Sequence, residues 1–207
     1  MEIFVFQIIV LLFSVVIHEV SHGYVAEHLG DQTARLAGRL TLNPLKHLDP
    51  LGSVILPVIL AVTNSPFIFG WAKPVPYNPN NLRDPVKGGA KIAAAGPISN
   101  FVIAITFAIA FRIADSVSAP ELLLHRFADV VSINILLAVF NLVPIPPLDG
   151  SKLLPTILPR NETSARVLNF LEQNGFILIL LFLFFGIDII RPIIEALFNF
   201  LLRFPSA

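Results

Sequence analysis

Cysteine is absent from this chain of 207 residues, and charged residues are few. Without cysteine the chain can form neither a disulfide nor a thiolate metal site, so any metal ion would need histidine and carboxylate ligands. Charged residues make up 14% of the chain, whereas soluble domains carry about 25%. Hydrophobic residues make up 55%, and the mean hydropathy is +0.78. We therefore expect a membrane protein that crosses the bilayer several times.

The chain also has no excess of either charge, because 14 Lys and Arg balance 14 Asp and Glu. A neutral chain gives no indication of a nucleic-acid partner. The N-terminus lacks the basic segment and the small-residue cleavage site of a signal peptide. We therefore expect the first apolar segment to stay in the mature protein.

Long apolar runs, by contrast, are abundant. A helix needs about 20 apolar residues to cross a bilayer, and four runs come close to or exceed that length, at residues 3–29, 91–113, 127–143 and 176–200. The last run contains charged residues and a proline, so it is either one kinked helix or a span followed by an interfacial helix. The sequence therefore predicts an all-α multi-pass membrane protein with about four main transmembrane helices.

Two histidines lie near the end of the first apolar run, where residues 18–22 read His-Glu-Val-Ser-His. Helix residues four apart share one face, about 6 Å apart along the axis. His18 and His22 can therefore hold one Zn²⁺, with Glu19 placed to act as a base. Such motifs also occur by chance in soluble helices. Ionisable groups within a membrane span are costly, however, and by default they mark a functional site.

A zinc ion that performs hydrolysis usually has three protein ligands and one open position for water. Asp149 is our candidate for the third ligand, because it follows the third span. This span should return the chain to the side of the membrane on which His22 lies. The prolines before it would unwind the helix end, and Gly150 would permit a sharp turn. Taken alone, Leu-Asp-Gly is also an ordinary turn after a helix.

The region between the first two spans is harder to interpret. Residues 51–71 are apolar but interrupted by prolines. If the end of the first span and the start of the second share one site, the chain between them must cross the membrane an even number of times. A single crossing by residues 51–71 would break this rule, and the stretch is too short for two crossings. We therefore predict a re-entrant or membrane-skimming segment at 51–71. Residues 34–42 and 74–79 are predicted to form short strands, a β-hairpin-like element at the cytoplasmic edge. The alternative for 34–42 is a connecting loop.

The chain resembles the site-2 protease family of intramembrane zinc metalloproteases, in a short form without PDZ or CBS domains. Three elements carry the resemblance, in the family's order: the His-Glu-Val-Ser-His motif, the Gly-Pro-Ile-Ser-Asn sequence at 96–100, and residues 141–150. The resemblance extends from residue 3 to about residue 154. It implies an enzyme that hydrolyses peptide bonds within the transmembrane segments of membrane proteins.

The resemblance also implies the roles of the site residues. His18, His22 and Asp149 would bind one Zn²⁺ ion, and Glu19 would be the general base. Asn100 and Asn141 would lie near the scissile peptide. Since an amide offers both a donor and an acceptor, Asn100 could stabilise the oxyanion and Asn141 could bind the backbone of an unwound substrate. The alternative for each is an Asn that satisfies backbone groups at a helix end.

Two other functions remain compatible with the sequence. A metal transporter or metal-sensing membrane protein could use the same histidine pair, although it would usually need ligands repeated along a path, and the other histidines form none. A catalytically inactive adaptor would bind transmembrane segments without cleaving them. The partners we expect are a transmembrane protein substrate and the lipid bilayer, and no nucleic acid.

We expect one membrane-embedded peptidase domain over residues 1–207. Its parts are a zinc-motif helix at 3–29, a cytoplasmic-side region at 31–90, a helix at 91–113, a helix with the third ligand at 127–150, and a C-terminal helical segment at 176–204. Lysine and arginine are concentrated in the loops on the side of His22. Because basic loops stay in the cytoplasm, we expect a cell-membrane protein with its N-terminus outside and its active site toward the cytoplasm.

Overall fold

The structure is a computed structural model, and it describes residues 2–63, 70 and 72–202. Eight α-helices are found in this part of the chain: α1 Glu2–His28, α2 Thr33–Leu36, α3 Leu56–Val62, α4 Pro85–Ser116, α5 Glu121–Asn141, α6 Asp149–Ile157, α7 Glu162–Leu181 and α8 Ile187–Leu202. A π-helical turn at Phe182–Gly186 joins α7 to α8, so residues 162–202 are helical throughout. Another π-helical turn, Pro50–Ile55, leads into α3.

Four of these helical segments are long and apolar enough to cross a membrane: α1, α4, α5 and the continuous 162–202 helix. They contain the four apolar runs of the sequence, apart from a residue or two at run ends. The prediction of an all-α protein with four main helices that are long and apolar enough to span a membrane is therefore confirmed. The last segment has 41 residues, about 60 Å at 1.5 Å per residue. It is thus about twice as long as a hydrocarbon core is thick.

α4 is the central helix, because it packs against α1, α5, α6 and α8. Its buried positions are mostly small residues, among them Ala93, Ala104 and Ala108. Small side chains let helix backbones approach closely, which favours association where no hydrophobic force acts between helices. Larger apolar side chains from α5 and α8, including Ile135 and Ile190, complete the core beside α4.

The strand prediction for residues 34–42 is wrong. Residues 33–36 form α2 instead, and the Asp31 carboxylate accepts hydrogen bonds from the backbone N–H and the hydroxyl of Thr33 where this helix begins. A turn follows, with Gly38 at a φ of +64°. The loose alternation of apolar residues did not reveal this local helical turn.

Residues 72–78 have no regular secondary structure, the described part of the chain contains no strand, and a 3₁₀ turn follows at Pro79–Asn81. No strand forms here because several backbone amides of this segment are either missing or bonded to side chains. Pro74 and Pro76 have none to offer a ladder. The amides of Val75 and Asn78 donate to the carboxylates of Glu19 and Asp31, at 2.8 and 2.7 Å. The predicted β-hairpin-like element is therefore absent from residues 34–42 and 74–79.

The predicted re-entrant or membrane-skimming segment is described in part. Residues 50–62 are helical, and residues 64–69 and 71 lie outside the described residues. The path of this segment relative to the bilayer stays a prediction.

Candidate metal centre

Two histidines of α1 and one aspartate of α6 converge on a single point. Asp149 Oδ2 lies 3.1 Å from His18 Nε2 and 3.1 Å from His22 Nε2. Within the described residues these three side chains form a group whose ligand atoms all lie within 4.8 Å of one another. His18 and Asp149 are buried, and 11% of the His22 side chain is exposed. The three residues predicted as ligands are thus brought together.

A sharp turn carries Asp149 to the histidines. α5 ends at Asn141, and α6 begins at Asp149. Gly150 lies directly against the backbone of Leu142 and Val143, where a Cβ atom would collide with their carbonyl groups. The chain therefore doubles back closely only because residue 150 has no side chain.

Each imidazole is held through its other ring nitrogen by α4. His18 Nδ1 lies 2.6 Å from Asn100 Oδ1, and His22 Nδ1 lies 2.6 Å from the Ile92 carbonyl oxygen. Both partners accept hydrogen bonds, so both Nδ1 atoms carry the proton and both Nε2 atoms keep a free lone pair when the imidazoles are neutral. Such outer partners fix the tautomer and the ring orientation of metal-binding histidines.

The absence of a side chain at one position of α4 leaves room for both imidazole rings. Gly96 faces the imidazoles, and a Cβ atom there would lie 2.5 Å from His18 Cε1 and 2.6 Å from His22 Cε1. Real Cβ atoms essentially never approach other atoms so closely. Glycine at this position is therefore a steric condition for the two rings to converge.

The donor set fits zinc. Two imidazole nitrogens and a carboxylate oxygen are typical ligands of a hydrolytic zinc ion, and bonds of about 2.0–2.1 Å in tetrahedral geometry separate ligand atoms by about 3.3 Å. The two 3.1 Å separations agree with this value. An aspartate carboxyl has an ordinary pKa of about 3.9, so it is ionised at neutral pH. The carboxylate is the form that binds a cation.

Glu19 borders the same cavity as the three ligands. This cavity measures about 130 Å³, and its wall also includes Pro74, Val75, Tyr77, Asn141 and Lys152. Glu19 Oε2 accepts a hydrogen bond from the Val75 backbone N–H at 2.8 Å. The segment of residues 72–78 is thereby held against the face of α1 that carries Glu19.

The two asparagines predicted near the substrate lie in different surroundings. Asn141 lines the cavity, and its amide nitrogen donates to the Leu137 carbonyl of its own helix at 2.9 Å. Asn100 is fully buried beside His18, and its amide nitrogen donates to Asn134 Oδ1 at 2.9 Å. This position favours an orienting role for Asn100 over contact with an oxyanion.

Sequence reasoning missed several participants. The Ile92 carbonyl and the Val75 amide are backbone groups, which no residue pattern reveals. Lys152 Nζ lies 3.7 Å from Asp149 Oδ1 and 5.8 Å from the centre of the Tyr77 ring. Asn134 did have a signal in the sequence, since a polar residue in the middle of an apolar span indicates a partner within the bundle.

The comparisons with known proteins agree with this geometry. The model of peptidase family M50 matches residues 111–182. The chain is 33% identical to the "Putative zinc metalloprotease YwhC" of Bacillus subtilis, over 98% of this chain and 91% of that protein. It is 29% identical to the "Putative zinc metalloprotease Rip2" of Mycolicibacterium smegmatis, over 87% of this chain and 67% of that protein. It is 27% identical to the "Zinc metalloprotease MJ0392" of Methanocaldococcus jannaschii, over 86% of this chain and 42% of that protein. No solved structure matches the chain significantly.

Proposed function

The chain belongs to peptidase family M50 and is a zinc metalloprotease, and from this premise we propose that it hydrolyses peptide bonds within transmembrane segments of membrane proteins. One observation carries the proposal. His18, His22 and Asp149 converge beside Glu19 in one cavity. The histidines lie on α1, Asp149 follows the end of α5 by eight residues, and both of these helices are long and apolar enough to cross a bilayer. A site at this position meets substrates that are themselves in the membrane.

In this proposal His18, His22 and Asp149 hold the ion, and Glu19 is the general base. When bound, zinc supplies a Lewis acid and lowers the pKa of a bound water toward about 7. Glu19 takes a proton from water and passes it to the leaving amine. Its carboxylate borders the cavity, and before substrate arrives it accepts a hydrogen bond from the Val75 N–H.

A helical substrate must unwind before its scissile bond is accessible, because its backbone groups are bonded to one another. The segment of residues 72–78 contributes Pro74, Val75 and Tyr77 to the cavity wall, so it is the element best suited to receive the unwound peptide by β-addition. Arg39 supports this segment by donating to the carbonyls of Lys73 and Pro74, at 2.6 and 3.3 Å. Asn141, in the cavity wall, is placed to hydrogen-bond the peptide backbone.

The proposal includes an orientation in the cell membrane. Basic residues are concentrated in the segments next to His22 and Asp149, and such segments stay in the cytoplasm. The metal centre then opens toward the cytoplasm and the N-terminus lies outside. The whole chain forms one membrane-embedded peptidase domain, and its partners are a transmembrane substrate and the bilayer.

Purified protein in detergent tests the proposal through two variants. Glu19→Gln keeps the size of the side chain but removes the base, so we expect zinc to stay bound and cleavage of a transmembrane substrate to fall by about 100-fold or more. Asp149→Ala removes a ligand, so we expect zinc occupancy and cleavage to fall together. Cleavage that survives in Glu19→Gln would remove the base assignment, and unchanged zinc occupancy in Asp149→Ala would remove the third ligand.

A transport function makes the opposite prediction. If the wild-type protein in sealed vesicles moved zinc across the bilayer and cleaved no substrate, the metal transporter interpretation would replace the peptidase. Glu19→Gln and Asp149→Ala would then show no loss of cleavage, because the wild type would cleave nothing.

A further inference from the structure

We propose that Asn134 on α5, together with Ser14 on α1, positions the His18 imidazole for zinc binding. Neither residue lines the cavity of the metal centre, so each acts through Asn100. The inference rests on the proposed function, because that function assigns His18 to the metal.

A chain of buried hydrogen bonds runs from His18 across three helices. Asn100 Oδ1 lies 2.6 Å from His18 Nδ1, and the Asn100 amide nitrogen donates to Asn134 Oδ1 at 2.9 Å. The Asn134 amide nitrogen donates to Ser14 Oγ and to the Val130 carbonyl, both at 2.9 Å. Asn100 and Asn134 are fully buried and Ser14 nearly so, so water does not compete for these groups.

The donor-to-acceptor direction of these hydrogen bonds decides which nitrogen of His18 carries the proton. An asparagine amide can rotate by half a turn, and Asn100 would then present its NH₂ group to His18 Nδ1. Nδ1 would become an acceptor, the proton would move to Nε2, and Nε2 could not bind a metal. Asn134 opposes that rotation, because its Oδ1 accepts from the Asn100 amide nitrogen at 2.9 Å. The Ser14 backbone carbonyl is a second, longer acceptor for the same nitrogen, at 3.4 Å.

Asn134 is itself held in one orientation by two acceptors. Its NH₂ group has Ser14 Oγ and the Val130 carbonyl as partners. A reversed Asn134 would turn its oxygen toward the carbonyl of Val130 and its NH₂ group toward that of Asn100. Both pairs would be mismatched in a buried environment, where an unsatisfied polar group costs about 1–3 kcal/mol.

A purely structural role for Asn134 is the competing explanation, since polar side chains also join helices in membranes. A second polar pair between the same two helices provides a matched control for this structural explanation. Gln7 on α1 donates to Asp129 on α5 at 3.0 Å, so this pair joins the same two helices as Ser14 and Asn134. Gln7 precedes His18 by eleven residues, about 16 Å along the helix. Its loss therefore weakens the α1–α5 contact without touching the metal centre.

The experiment compares Asn134→Leu with Gln7→Leu in the purified full-length chain. Zinc affinity is measured by competition with a chromophoric chelator, and the thermal unfolding temperature is followed in parallel. We expect Asn134→Leu to weaken zinc binding by about 10-fold, within the range for lost outer partners of metal ligands. We expect Gln7→Leu to leave the zinc affinity close to that of the wild type.

Cobalt in place of zinc gives a second measurement, because its visible absorption reports the geometry of the ligands. We expect Asn134→Leu to change the cobalt spectrum and Gln7→Leu to leave it unchanged. Equal loss of zinc affinity in both leucine variants, or none in Asn134→Leu, would overturn the positioning role. If Asn134→Leu does not fold, Asn134→Ala removes the same acceptor without added volume and is judged by the same criteria.

These outcomes are separate from failure of the proposed function. A wild-type chain that binds zinc but cleaves no membrane substrate would contradict the peptidase assignment, and the zinc affinities of the variants would still decide the role of Asn134.

Discussion

The helical bundle and the segment formed by residues 31–63 and 72–81 are held together by different interactions. In the bundle, small residues of α4 let the neighbouring helices approach, and apolar side chains fill the remaining space. In the segment, a few buried polar side chains anchor backbone groups. Asp31 accepts from the Asn78 backbone and the Asn81 side chain, at 2.7 Å each. His47 is bonded to the Thr41 carbonyl at 2.8 Å.

The difference indicates which kind of substitution should destabilise each region. The bundle depends on the volume of its side chains, so an added atom at a close contact is harmful. The segment depends on single polar groups, so the loss of one carboxylate is harmful. The predictions below test this contrast from the largest expected effect to the smallest.

Gly96→Ala should have the largest effect, because the added methyl group would overlap both imidazoles. We expect zinc affinity to fall by about 100-fold or more, since the ligands can no longer converge. Gly89→Ala is the matched control on the same helix, where a Cβ atom would meet only the Tyr77 hydroxyl, at an ordinary 3.7 Å. Zinc titration of both variants checks the prediction, and equal affinities would contradict it.

Asp31→Ala should destabilise the segment without removing the metal ligands. Asp31 is fully buried, and its loss leaves several donors without partners. We expect the free energy of unfolding to fall by about 2–4 kcal/mol. Limited proteolysis should show faster cleavage within residues 31–63 and 72–81, while cleavage of the loop between α4 and α5 stays at the wild-type rate. Uniform acceleration at both places would mean that the segment is not a separate unit.

The contribution of Asp31 should depend on pH. Burial tends to raise the pKa of this carboxyl, but hydrogen bonds from Thr33, Asn81 and Asn78 outweigh it, so its folded pKa lies below the ordinary value. The stabilisation is therefore fully present above the unfolded pKa of about 3.9 and is lost as the pH falls through the lower folded value. The stability difference between wild type and Asp31→Ala should narrow in acid. A difference independent of pH would contradict this.

Asp49→Ala should have the smallest effect. The Asp49 carboxylate accepts from the backbone of Leu51 and Gly52, at 3.1 and 2.7 Å, where the π-helical turn begins. Loss of such a cap costs about 1 kcal/mol. Hydrogen exchange should accelerate at these two amides and stay unchanged in α4. Protection equal to wild type would show that the turn does not need this cap.

The spans and the three candidate ligands could be predicted from the sequence, because they follow from run length, helical spacing and topology. An apolar run has the length of a bilayer, and two histidines four residues apart share a helix face. Asp149 followed from the return of the third span to the same side. The strand at 74–79 could not be excluded in advance, because the Val75 and Asn78 amides bond to carboxylates distant in sequence. The position of Asn100 beside His18 likewise depends on how α4 is rotated against α1, which no periodicity gives.

The hydrogen bond between Glu19 and Val75 has a consequence for timing. Under the β-addition proposal, an incoming peptide competes for the backbone of the same segment that holds the carboxylate. A peptide that takes the Val75 N–H releases Glu19 from its tether at the moment its own backbone arrives. Arrival of the peptide and release of the base are then one event, and an empty enzyme keeps its base restrained.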